Sequence, residues 1–247
     1  MANTSVVSSI SRFGLYEPFD LQVARGQITG HSTVNIYGYQ PVVAQTFIPL
    51  WENATAYTYP VAATIMNLAG SNGDTASILI TGLDASYVLQ SETVVLNGTT
   101  PVPTTKAYLR INSMQVSVGS ATNPAGAVTL KDLTNTTIYA QINTGVGRTQ
   151  ASIYTVPAGF TFYLSRVDLN TSLNGNNHVT YRNRTASPAG VVTLTQQAPF
   201  ATSYKTQRVM PRPFVEKTDI QLQAKVDSAT GAVSVSAEGY LIKNSGV

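Results

Sequence analysis

Apolar and polar residues alternate with a period of two along most of this chain, and nothing of comparable length repeats at helical spacing. That alternation puts one face of each segment on a core and the other in water, the pattern of a half-buried strand. It is clear in "TASILITGL" (75–83), "QSETVVLNG" (90–98), "AYLRINSMQVSVG" (107–119) and "GAVTLKDL" (126–133). It returns in "ASIYTVP" (151–157), "GFTFYLSRVDLN" (159–170), "NHVTYRNRT" (177–185), "GVVTLTQQ" (190–197), "DIQLQAKVD" (219–227) and "GAVSVSAEGYLIK" (231–243). Turn formers such as "SNGD" and "NPAG" separate the segments. Short strands at even spacing predict an all-β fold of the β-sandwich or jelly-roll kind. Gly231 is expected to form a tight hairpin between the last two strands.

Two pairs of phrases suggest related modules. "AYTYPVAATIM" (56–66) resembles "IYTVPAGFTFYL" (153–164), and "NPAGAVTL" (123–130) resembles "SPAGVVTL" (187–194). The reading is an amino-terminal docking arm at 1–41 and two β-modules at 42–146 and 147–247. A single large sandwich is the alternative, since proline at a strand's first position arises independently.

Only 11% of the 247 residues are charged, against roughly 25% in an ordinary globular domain. A surface of Thr, Ser, Asn and Gln costs less to cover than a charged one, because burying unpaired charge is expensive. Interfaces likewise deplete charge at their centres. This composition suits a subunit of a large assembly, and it also fits an adhesin. The net charge of +3 is carried by scattered residues, densest in "RVMPRP" and "YRNRT". Direct nucleic-acid binding needs clustered phosphate contacts and is not expected. With no cysteine, neither a disulfide nor a thiolate metal site can form. No apolar run reaches the roughly 18 residues of a membrane helix, and "MANTSVVSSISRFG" lacks the pattern of a signal peptide. The expectation is a soluble protein, and its Asn-x-Ser/Thr triplets are expected to be unmodified.

Parts for catalysis are few. His31 and His178 have no acidic neighbours at ligand spacing. "GxSxG" and "GxGxxG" are absent. Asp168, Asp219 and Glu238 are the carboxylates for a glycosidase pair, yet each reads more simply as a strand-end or solvent-facing charge. "SNGDT" reads as a turn rather than a calcium loop. Trp51 reads as an aromatic of the core or module seam, with a sugar-stacking platform as the alternative. No catalytic residue, cofactor or metal is assigned, and the chain is expected not to be an enzyme.

The remaining unusual stretch is "EPFDLQVARGQITGHSTVNIYGYQP" (17–41). Pro18 and Gly26 suit the start and stop of a helical turn, while Phe19, Leu21 and Val23 alternate as in a strand. Both readings stay open. Together with "LWENATAYTYPVAA", "TGLDASYVLQSETVVLNGTTPVPTTKAYLRINSMQV" and "YTVPAGFTFYL", this stretch resembles a family of virion structural proteins of tailed bacteriophages. The family is familiar from phages of marine bacteria and cyanobacteria. The resemblance runs in order through most of residues 12–170, with "EPFDLQVARGQI" and "SETVVLNGT" its distinctive phrases.

It implies a non-enzymatic virion protein and carries no catalytic residues. A capsid decoration or cement protein on the capsid surface is the leading expectation. Its partners would be the major capsid protein or other virion subunits, and further copies of itself, with trimers natural at local three-fold positions. A tail adaptor, baseplate or fibre-attachment protein is the alternative, and a receptor- or glycan-binding adhesin the second. The expected docking residues are Arg12, Phe13, Tyr16, Glu17, Phe19, Asp20, Arg25, Tyr37 and Tyr39. Guanidinium forks there suit partner carboxylates, and aromatics anchor interfaces. The rival reading makes the same residues the first strands of module one.

Overall fold

The computed structural model describes residues 17–53, 56–173, 177–228 and 230–244. With 55% strand and 3% helix, the chain is all-β. One helical turn, α1 (Phe19–Ala24), precedes the long strand β1 (His31–Val43) and the short β2 (Ile48–Pro49). Then follow β3 (Asn67–Gly70), β4 (Ser77–Leu83), β5 (Leu89–Val95), β6 (Val102–Pro103), β7 (Arg110–Val116), β8 (Val128–Lys131) and β9 (Ile138–Ile142). The last group is β10 (Ile153–Thr155), β11 (Phe160–Thr171), β12 (Val179–Ala186), β13 (Val192–Phe200), β14 (Ser203–Phe214), β15 (Asp219–Val226) and β16 (Gly231–Lys243).

These strands form four antiparallel sheets around two cores. The first sandwich pairs a sheet of order β1-β16-β11-β14 with one of order β10-β15-β12-β13, to which β2 adds at β15. Its core draws on both ends of the chain, from Ile36, Val43 and Leu50 to Phe162, Tyr181, Leu222 and Leu241. The second body holds the sheets β6-β3-β8-β9 and β5-β4-β7. Its core is continuous in sequence, from Met66 to Ile142. The alternation produces this directly: in β12 the even positions face out while Val179, Tyr181, Asn183 and Thr185 are buried.

The second core ends at Ile142, before the expected boundary near 146, but the first core takes residues from both sides of it, Ile36, Val43 and Leu50 included. Residue 41 sits inside β1, which pairs with β16 from His31↔Ile242 to Val43↔Gly231. The module of 147–247 is therefore completed by the strand from 31–43, and the 66–142 body is inserted between them. The expectation of an extended arm over 1–41 is corrected in its described part. One edge of residues 31–40 is occupied by β16, so those backbone groups are not available to a neighbour. Residues 1–16 lie outside the described residues.

Two glycines explain local geometry. A Cβ on Gly38 would lie 2.5 Å from the Leu50 carbonyl oxygen and 2.6 Å from Ser152 Cβ, so only glycine lets β1 close over these segments. Gly38→Ala is expected to cost about 1–3 kcal/mol through overpacking, measured by urea unfolding; a loss below about 0.5 kcal/mol would contradict this. The expected hairpin at Gly231 is also corrected. Strands β15 and β16 lie in opposite sheets, so the connection is an arch, and Gly231 is needed because a Cβ would meet the Leu173 side chain at 2.6 Å.

Candidate functional site

The segment singled out from sequence is a short cap on the β1–β16 edge. Pro18 begins α1 in extended conformation and Gly26 ends it at φ +67°, the left-handed stop that glycine adopts without strain. The Gly26 and Gln27 amides donate back to the Val23 and Gln22 carbonyls. Of the two local readings the helical turn is the one realised, because Phe19, Leu21 and Val23 do not share one burial: Val23 is buried, while Phe19 and Leu21 are exposed.

Glu17 and Arg25 pair with each other at 2.5 Å across the turn, so they close α1 rather than stand free for a partner. Phe19 is 42% exposed and packs edge-on against His31 and Tyr240, with ring centroids 6.0 and 5.4 Å away. Asp20 accepts a hydrogen bond from the Tyr240 hydroxyl. Burial and the Asp20 carboxylate push that phenol up to about 12. Tyr37 lines a cleft between the two bodies, and the Tyr39 amide donates to the Gln150 carbonyl at 3.0 Å. Glu17, Phe19, Asp20 and Arg25 thus form one cluster, and Tyr37 and Tyr39 belong to the seam. Arg12, Phe13 and Tyr16 lie outside the described residues.

The seam was only partly visible in the sequence. Arg110 of β7 donates from Nε and Nη2 to the two carboxylate oxygens of Asp219 at 2.8 and 2.9 Å. Thr155 Oγ donates to the same carboxylate at 2.6 Å. The guanidinium also lies 4.5 Å from the Tyr59 ring centre and donates to the carbonyls of Leu109 and Pro60. Asn112 and Thr155 exchange two further hydrogen bonds, at 3.0 and 2.9 Å. Asp219 is therefore buried and paired, not a solvent-facing charge. Trp51, 2% exposed, meets Tyr57 edge-on at 5.1 Å, and Tyr57 meets Tyr59 at 4.9 Å. This is the seam reading of Trp51; its face is not offered to a sugar.

The cleft beside Tyr37 holds about 310 Å³ between β1 (Ser32–Tyr37) and β7 (Asn112–Gln115). Its described lining includes Arg148 but no carboxylate or histidine, so it offers neutral hydrogen bonds and one cation rather than an acid–base pair. Two other carboxylates, Asp20 and Glu238, line one surface pocket with Tyr240 and Ser165, where Asp20 accepts from the Tyr240 hydroxyl. Asp168 pairs with Arg166 at the surface, Glu238 is exposed on β16, and Asp74 of "SNGDT" accepts the Ala125 and Gly126 amides, tying two loops together. Among the described residues no group of three or more His, Asp or Glu is placed to hold a metal ion, and no helix is long and apolar enough to cross a membrane.

On the opposite side of the sandwich, sequence reasoning found β13 as a strand but missed β14 and the fact that both are edges. Strands β13 and β14 each pair on one side only among the described residues, with β12 and β11. They leave two neighbouring edges open. Between Leu164↔Arg212 and Arg166↔Gln207 the register breaks, so β14 bulges over Arg208–Pro211. The bulge carries Val209 at 100% and Met210 at 80% exposure. Val191, Val192 and Leu194 of the β13 region are exposed as well. The available signal was "RVMPRP", which marks a basic and proline-bearing edge.

No protein-family model and no curated protein sequence matches this chain. A solved structure of infectious bursal disease virus, Gt strain, aligns over 93% of this chain and 83% of its own, at 9% identity and a TM-score of 0.17. A likeness at that score carries no weight for fold or role.

Proposed function

We propose that this chain is a non-enzymatic structural subunit of a tailed-bacteriophage virion, most simply a decoration or cement protein on the capsid surface. The observation that carries the reading is the open β13–β14 edge. Two adjacent strand edges and a protruding apolar bulge are exposed in a chain whose surface is unusually poor in charge. Isolated proteins blunt exposed edges with charges, prolines and bulges. Strand β14 carries those devices in Arg208, Arg212, Pro211, Pro213 and its bulge, while the β13 edge keeps Val192 and Leu194 exposed. Subunits instead use exposed edges to add strands from neighbours. The resemblance of residues 12–170 to phage virion proteins supports the same reading. The partners are the major capsid protein or other virion subunits and copies of this chain. Many weak copies of one contact would then hold a shell by multivalency.

Purified particles carrying the protein test this. Quantitative mass spectrometry is expected to find on the order of hundreds of copies per particle, as repeated capsid sites require. About a dozen or fewer would place it in the tail, and absence from particles would end the virion reading. The amino-terminal segment is tested separately. Deleting residues 1–30 spares β1 and is expected to leave a folded protein with reduced particle incorporation. Deleting 1–43 removes β1 and is expected to prevent folding. Normal incorporation of the 1–30 deletion would remove the docking role of that segment.

A further inference from the structure

Inside the first sandwich, beneath the open edge, the polar groups are arranged for a negatively charged guest. Tyr181 and Asn183 point inward from β12 and are 0% and 1% exposed. Among the described residues, the Tyr181 hydroxyl and both polar side-chain atoms of the Asn183 amide have no hydrogen-bond partner, and neither has Arg208 Nε. These groups are neighbours. Asn183 lies directly opposite Gln196 in the β12–β13 ladder. Gln196 accepts from Arg208 Nη2 and donates to the Tyr204 hydroxyl, and the Tyr204 ring is 5.9 Å from that of Tyr181.

Leaving such groups unpaired in an interior is destabilising, more so for a charged one, so the arrangement calls for a function. Two guanidinium groups reach this region, and their hydrogen-bond partners here are neutral: Gln196 Oε1 for Arg208 and the Thr195 carbonyl for Arg212. No ion pair joins either to a carboxylate among the described residues. Both arginines are half-buried, and guanidinium charge withdrawn from water is ordinarily matched by an anion. Three of the unpaired groups are donors: Arg208 Nε–H, the Asn183 amide N–H and the Tyr181 O–H. The Tyr181 phenol is a donor at pH 7 with or without the upward shift that burial gives it.

A second feature supports the same place. The β12–β13 register breaks between Asn183 and Arg184, leaving Thr195 unmatched, and the β14 bulge begins at Arg208. Bulges splay a ladder and re-aim side chains, and they concentrate beside functional sites. Here two of them part the edge strands at the level of the unpaired donors.

We propose that this cluster is an anion site, taking one chloride-sized monovalent ion between Tyr181, Asn183 and Arg208 and thereby holding the β13 and β14 edges together. The test is thermal unfolding of the full-length protein at pH 7 and constant ionic strength, with chloride exchanged against gluconate, an anion too bulky to enter. The Tm is expected to rise by several degrees and then saturate as chloride goes from about 1 to about 100 mM, as ligand linkage requires. Arg208→Met and Asn183→Leu should abolish the chloride increment, and Arg166→Gln, at the surface, should keep it. Equal Tm values in chloride and gluconate would mean that water satisfies these donors, and would overturn the proposal. So would an increment unchanged in both cluster variants. Should the variants fail to fold, wild-type crystals soaked in bromide decide the matter. An anomalous peak within hydrogen-bond reach of Asn183 and Arg208 supports the site, and its absence overturns it.

Discussion

Asp219→Ala is expected to remove about 3–5 kcal/mol of stability, the usual cost of stripping one partner from a buried ion pair. Three donors converge on this carboxylate: two from Arg110 and one from Thr155. Without it, the Arg110 guanidinium stays under Tyr59 with only the Leu109 and Pro60 carbonyls as acceptors. The charge has lost its match but not its burial. Because Arg110 belongs to the body built on 66–142 and Asp219 to the sandwich, the loss falls on the seam between two cores. Calorimetry should therefore show more than a lower Tm: the single transition should broaden or split as the two bodies uncouple.

The double variant Arg110→Met, Asp219→Leu separates charge from packing. Replacing both partners with apolar groups of similar size is often neutral, so the double variant is expected to recover most of what Asp219→Ala loses. A double variant as unstable as Asp219→Ala would show that the seam depends on the ion pair's hydrogen bonds to Thr155 and the loop carbonyls. An Asp219→Ala loss below about 1 kcal/mol would show that the pair is effectively solvated.

The sandwich strands were legible where alternation was unbroken and both flanks carried turn formers. Strands β4, β5, β7, β8, β10, β11, β12, β13, β15 and β16 follow from local pattern alone. Among those that were not legible, the two long strands β14 and β1 share a physical cause. Strand β14 contains Pro211 and Pro213, residues that a central strand excludes but an edge strand or bulge accepts. Its status as an edge is set by what lies beside it in space, which the local sequence does not encode. Strand β1 carries Gly38 and Pro41 and reads as an irregular extension until β16, about two hundred residues later, supplies its partner. The site residues divide in the same way. Glu17, Phe19, Asp20 and Arg25 were found together because they are close in sequence. The Arg110–Asp219 pair, and the group around Tyr181, Asn183 and Arg208, join strands distant along the chain, and no spacing rule reaches them. The carboxylate that read as an ordinary strand end, Asp219, is the one the seam depends on.

Glu52 should give the protein an unusual dependence on pH. Its side chain is buried at the seam, with Oε1 accepting the Gln150 amide and Oε2 without a partner among the described residues. Loss of hydration raises its pKa from 4.5 to about 7, against the smaller opposing pull of the Gln150 amide and Arg148. A carboxyl with a raised pKa binds its proton more tightly in the folded than in the unfolded chain. Stability therefore falls as pH rises from about 4.5 to about 7 and is flat above, the reverse of a salt-bridged carboxylate. The full difference corresponds to about 3 kcal/mol at most. Glu52→Gln keeps an oxygen for the Gln150 amide and cannot ionise. It is expected to unfold at a higher urea concentration than wild type at pH 8 and to close that gap as the pH drops toward 5. The quantity to measure is the wild-type-minus-variant difference across this range, since every other titrating group cancels in it. A difference that does not change with pH would mean that water or Arg148 already compensates the charge, and that the seam at Glu52 is open rather than dry.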